Sequence, residues 1–170
     1  MASDWRYRVL SLLPSTTEIL YAIGAEDRLV GVTHECDWPP EVRTKPQVTG
    51  ARISPAIESA MIDRLVREQL EESGSLYQLD LDLVRKLAPD IVLTQQLCTV
   101  CAVGYETVRA AMRSLDDPPE VVNVEPHTLD EVFASFVDVA DRVGSRAAGE
   151  ELVEGLRERF VHLQQTGDAH

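Results

Sequence analysis

Two cysteines stand three apart in QQLCTVCAV, Cys98 and Cys101, and the third, Cys36, lies in THECDWPP beside His34. Brought together, His34, Cys36, Cys98 and Cys101 would offer one imidazole and three thiolates. That donor set suits a tetrahedral zinc ion or an iron–sulfur cluster. H-x-C is an uncommon half-site, and a lone C-x-x-C has two other uses. As a redox pair, Cys98 and Cys101 precede a helical segment whose dipole would lower a thiolate pKa. As small apolar side chains, the cysteines would simply pack under a loop. The residues leave these three chemistries open.

The rest of the chain narrows the setting. Its 170 residues amount to about one domain. With 29 acidic against 16 basic residues, the formal net charge is −13. Such a chain is repelled by phosphate backbones and anionic lipid, so nucleic acid and membrane insertion are excluded as expectations. No run of about 20 apolar residues is present. MASDWRYRVLSLLPS lacks the pattern of a secretory signal, so the expected location is cytoplasmic. An odd cysteine count excludes a complete disulfide framework.

The elements that must position the cysteines alternate between strand and helix. RVLSLL (8–13) reads as a buried strand, and Ser15-x-x-Glu18 as a capping box opening the helix that Gly24 stops. LVGVT (29–33) is a second strand, and residues 34–56, rich in Pro, Gly and Thr, read as a long loop. Helical spacing follows over 57–70 and 81–87, the latter halted by Pro89. Residues 91–94 form a third strand, 103–115 a helix and 121–124 a fourth strand. Strands alternating with helices predict an α/β domain with a largely parallel, Rossmann-like sheet.

From Thr128 the helical spacing runs almost to the end of the chain. A single helix over 128–164 would be about 55 Å long, against a domain radius of gyration of roughly 15 Å. It would overhang the domain with an apolar stripe, Leu152, Leu156, Phe160 and Leu163, in need of a partner. Three arrangements answer that need: a second lobe, a homodimer through this helix, or a fold-back at Gly144 and Gly149.

In a parallel sheet all strands end on one edge, where open α/β folds bind ligands. His34, Glu35, Cys36 and Asp37 follow the second strand, and Cys98 and Cys101 follow the third, so both patches fall on that edge. The helix N-terminus at Ser15, Thr16 and Thr17 lies there too. Asp80 and Asp82 read as acids favoured by a helix dipole. His127 reads as a cap or surface residue, and His162 and His170 as residues without a role. No phosphate loop, dinucleotide fingerprint, nucleophile elbow or H-E-x-x-H is present, and an enzyme is not expected.

VLSLLPSTTEILYAIGAEDRLVGVT, CDWPPEV, LDLDLVRKLAPDIVLTQ and VVNVEPHTLDEVFASFVDVADRVG occur in an order that resembles the helical-backbone (class III) substrate-binding proteins of ABC transporters. Within that family the chain is most similar to the cobalamin-binding branch and its signal-less relatives. The resemblance covers residues 8 to about 160. It implies two α/β lobes joined by a long helix, of which 1–127 would be the N-terminal lobe and 128–170 the connector, with a C-terminal lobe missing. It also implies a corrinoid or other metal chelate in the cleft. Asp82 matches the acidic position with which relatives dock on their permease, one methylene shorter than the usual glutamate. Glu35 and Gln95 stand where cobalamin binders place rings against the corrin, and Trp38 is the nearest aromatic. On this reading His34, Cys36, Cys98 and Cys101 would contact a metal. Ser15, Thr16, Thr17, Glu35, Trp38, Gln95 and Gln96 would shape the rim around a small-molecule ligand.

Overall fold

The computed structural model describes residues 7–51, 77–96 and 105–167. Four strands form the main sheet: β1 (Val9–Ser11), β2 (Leu29–Val32), β5 (Ile91–Thr94) and β6 (Glu120–Asn123). All pair in parallel, in the order β2-β1-β5-β6. The chain leaves β1 in one direction for β2 and in the other for β5, so the switch point lies between β1 and β5.

Parallel strands are buried on both faces, which explains unbroken apolar runs such as IVL in β5. Alternate residues serve opposite cores. Val9, Ile91 and Leu93 pack with Ile19, Leu20 and Val139 on one side. Leu10 and Val92 pack with Val84, Val108 and Met112 on the other. The first layer is supplied by helices α1 (Pro14–Ala22), α4 (Leu129–Arg142) and α5 (Arg146–Gly167). The second is supplied by α2 (Leu81–Leu87) and α3 (Tyr105–Arg113).

The α/β class and its parallel sheet stand, and the corrections are local. Helix α1 opens at Pro14 in its first turn, with Leu13 as N-cap and no side-chain cap, so Ser15-x-x-Glu18 is not a capping box. Proline suits that first position because its missing N–H would have had no helical partner. The loop read over 34–56 contains β3 (Thr49–Ala51), which pairs antiparallel with β4 (Tyr77–Leu79). A bridge between Val32 and Gln47 ties this ribbon to β2. The helix read over 57–70 lies outside the described residues.

Helix α2 starts as its acids suggest: the Asp80 side chain accepts from the Leu83 N–H. Helix α4 carries a full capping box between Thr128 and Glu131. Hydrogen bonds from the His127 and Thr128 backbone N–H groups hold the Glu131 carboxyl below its ordinary pKa.

The C-terminal helical run is divided. Gly144, at φ +70°, ends α4, and the chain turns back so that α5 packs along it. That conformation strains any residue bearing a Cβ. The fold-back left open by the sequence is therefore the one adopted. It gives part of the apolar stripe a partner within the chain: Leu152 packs against the first core, and the Phe160 ring meets Phe133 edge-on at 5.7 Å between centroids.

Candidate functional site

At the C-terminal edge the turn after β1 is fixed from beneath. The Leu12 N–H donates to Leu93 O at 2.9 Å, and the Thr33 N–H donates to Ser11 O at 2.9 Å, tying β1 to both neighbours. Below the turn runs a chain of buried polar groups. Thr17 Oγ1 donates to Ser11 Oγ at 2.8 Å, Ser11 Oγ donates to Leu13 O at 2.9 Å, and Thr16 Oγ1 lies 2.6 Å from Ser11 Oγ. Cys36 Sγ lies 3.1 Å from Thr17 Oγ1. With the Thr17 proton committed to Ser11, the thiol proton points to Thr17.

Thr16 and Thr17, expected at the rim, are thus buried together with Cys36 as groups that hold the α1 N-terminus to the loop after β2. Burial pushes the Cys36 thiol above its ordinary pKa, and the nearby Asp37 and Glu18 carboxylates add to the effect. A raised folded-state pKa supplies stability that is present below the unfolded value near 8.5 and lost as the pH climbs through the folded one. In a Cys98→Ser/Cys101→Ser background, Cys36 should therefore alkylate at least about tenfold more slowly at pH 8 than in denaturant. Equal rates in iodoacetamide quench-flow would show an open thiol instead.

His34 faces elsewhere. Its Nδ1 lies 2.7 Å from Thr49 Oγ1, its backbone N–H donates to the same oxygen at 3.0 Å, and its Nε2 lies 3.1 Å from Glu35 Oε1. Thr49 Oγ1 also meets Thr33 Oγ1 at 2.8 Å. The histidine clamps the loop after β2 onto β3 through Nδ1, and its Nε2 faces the Glu35 carboxylate. His34 and Cys36, expected as one half-site, thus engage different partners, Thr49 and Thr17. Among the described residues, no group of three or more His, Cys, Asp or Glu is arranged to hold a metal ion. Cys98 and Cys101 lie outside the described residues.

The remaining predicted residues separate into two places. Gln95, half-buried, and Gln96, exposed, leave the end of β5 beside the switch point, and exposed Glu35 follows β2 on the same edge. Ser15 and Trp38 instead line a groove of about 870 Å³, together with Ile19, Phe136, Leu152 and Leu156. Neither Glu35 nor the two glutamines line that groove. His127 sits at a smaller pocket of about 270 Å³ beyond β6, beside Asn123 and Arg142. Asp82 is exposed and pairs with Arg85 at 2.6 Å.

Sequence reasoning missed Ser11, Thr49 and Phe136. A serine within an apolar strand was a signal for the buried hydroxyl chain. Thr49 and Phe136 gain their roles only through long-range pairing.

Comparison with known proteins adds an independent line. A family model described as "Periplasmic binding protein" matches residues 9–168. The Bacillus subtilis protein "Uncharacterized ABC transporter substrate-binding lipoprotein YvrC" is 23% identical over 160 residues, covering 93% of this chain and 41% of the relative. A "Vitamin B12-binding protein" of Photorhabdus laumondii is 23% identical over 158 residues, covering 93% and 46%. Among solved structures, the periplasmic vitamin B12 binding protein BtuF of Vibrio cholerae superposes with a TM-score of 0.63 at 19% identity, covering 94% of this chain and 50% of that one. The periplasmic heme-binding protein RhuT of Roseiflexus sp. RS-1 gives 0.67 at 21% identity, covering 96% and 51%. These chains share the fold, and the present chain spans about half the length of each.

Proposed function

The chain belongs to the periplasmic binding protein family, whose members bind substrates and are not enzymes, and on that premise we propose that its sheet edge binds a corrinoid-type metal chelate. The observation that carries the reading is the strand order. It sets Glu35 after β2 and Gln95 and Gln96 after β5 on the edge of a parallel sheet, with the switch point between β1 and β5. Relatives named for vitamin B12 and for heme share this lobe, so both macrocycles are candidates.

Chemistry favours the corrinoid. Among the described residues, Glu35, Gln95 and Gln96 offer the edge a carboxylate and two carboxamides without an aromatic face, which suits hydrogen bonds to peripheral amides better than stacking on a ring. A corrinoid carries neutral amides around its rim, whereas haem carries two propionates. A chain of net charge −13 repels the propionates.

The described edge contacts one face of the ligand, so the expected dissociation constant for cobinamide is on the order of tens of micromolar. Equilibrium dialysis should show this, with haemin weaker still. Gln95→Tyr should tighten cobinamide about fivefold, since a stacked ring contributes roughly 0.5–1.5 kcal/mol. Haemin binding more tightly than cobinamide, or a Gln95→Tyr variant with unchanged affinity, would remove the corrinoid assignment.

A further inference from the structure

Two surfaces left apolar by the fold complement each other. The first is the groove between α1 and α5, floored by Ile19, Phe136, Leu152 and Leu156. Trp38, 62% exposed, forms one wall and Glu18 stands at the rim. Among the described residues, no basic side chain lines it. Asp37 adjoins Trp38 in the chain, and the Glu41 carboxylate acts on Tyr21, another lining residue. The groove is apolar with an acidic rim.

The second surface is the C-terminal half of α5. Leu152, Leu156, Arg159 and Leu163 recur at intervals of four, three and four, so they share one helix face. The first two lie in the groove, while Arg159 and Leu163 continue beyond it, Leu163 being 63% exposed. This half of the face is apolar and basic. Among the described residues, neither Arg159 nor Glu18 has an ion-pair partner.

The geometry points to a two-fold pair of chains in which the C-terminal half of α5 from each copy lies in the Trp38 groove of the other. An antiparallel α5 pair with its axis near Arg157 and Glu158 sets Leu163 of one copy opposite Leu152 of the second, and Leu156 opposite Arg159. Leu152 and Leu163 are about 16 Å apart along the helix, so both contacts fall within one stretch of paired helix. Each contact occurs twice, and the assembly closes instead of growing into a filament. Arg159 then meets the carboxylates of Glu18 and Asp37 across the interface, which fixes the antiparallel sense. A small ligand in the groove would leave Leu163 in water, whereas a second copy covers both surfaces. This inference does not rest on the corrinoid reading, and its test uses no corrinoid until the last step.

Sedimentation equilibrium on the 170-residue chain should give twice the 18.9 kDa protomer mass as concentration rises. Leu163→Asp, at a side chain already in water, should give a monomer with an unchanged far-ultraviolet dichroism spectrum. Glu18→Arg should weaken the pair about tenfold or more, since it sets like charges together. The double variant Glu18→Arg/Arg159→Glu should restore it. A monomer at every concentration overturns the proposal. So does a dimer indifferent to both Leu163→Asp and the charge reversal, which would place the contact on another face. Quenching of Trp38 fluorescence by cobinamide in a strictly monomeric chain would assign the groove to the ligand instead.

Discussion

Gly149→Ala is expected to destabilise the chain by about 2 kcal/mol and to lower its melting temperature by about 6 °C. Elsewhere in a helix this change gains up to about 1 kcal/mol, because alanine has less backbone freedom to lose. At Gly149 the new Cβ would lie 2.5 Å from Ala140 Cβ, 3.2 Å from Phe136 O and 3.3 Å from Val137 Cα. None of these atoms is the end of a flexible side chain, so α4 and α5 must separate along their whole contact. Gly155, six residues further along α5, has nothing within 4 Å of the corresponding position. Gly155→Ala should therefore stabilise. Thermal unfolding of the two variants side by side gives opposite signs if the hairpin packs as described. The same sign for both would mean that α5 does not lie against α4 at Gly149.

Leu93→Ala should have a larger effect, a loss of about 3–4 kcal/mol. Leu93 is fully buried in β5, the strand that pairs with both β1 and β6. Truncation removes its contacts with the core under α1 and α4 and leaves a cavity that two hydrogen-bonded neighbours prevent from collapsing. Leu129→Ala, at a side chain 52% exposed, should stay within about 0.5 kcal/mol of the parent. Urea midpoints are the measurement, because they report stability directly when the slope is unchanged. If Leu93→Ala and Leu129→Ala lost similar amounts, the assignment of β5 to the centre of the sheet would fail. Against a total stability of about 5–15 kcal/mol, the expected loss also threatens the ligand edge, since Gln95 is the next residue but one.

Most of the fold was legible because its signals are local. Apolar runs bounded by proline and glycine marked β1, β2, β5 and β6 to within a residue or two. Asp80 and Pro89 framed α2, and Gly24 ended α1. The β3–β4 ribbon was not legible, because its pairing joins Thr49 to Leu79 across a stretch with no strand pattern of its own. The capping box at Ser15 failed for a related reason. Serine can cap, but Pro14 offered a better first turn, and the hydroxyls behind it were drawn into the core by Ser11.

The site divides in the same way. Residue order alone placed His34, Glu35, Cys36 and Gln95 at strand ends, and the parallel sheet then put those ends on one edge. Sequence also determined the family, because a succession of short segments over nearly the whole chain is a one-dimensional property. Only the tertiary structure decided where each side chain points. It turned Cys36 inward to Thr17 and His34 sideways to Thr49, and it moved Trp38 and Ser15 into a groove with α5. It also decided that the long helical run would fold back at Gly144, since apolar spacing of period 3.6 continues unchanged on both sides of a break. Periodicity specifies which face of a helix is apolar. What that face meets depends on burial and partner contacts, which residue spacing does not encode.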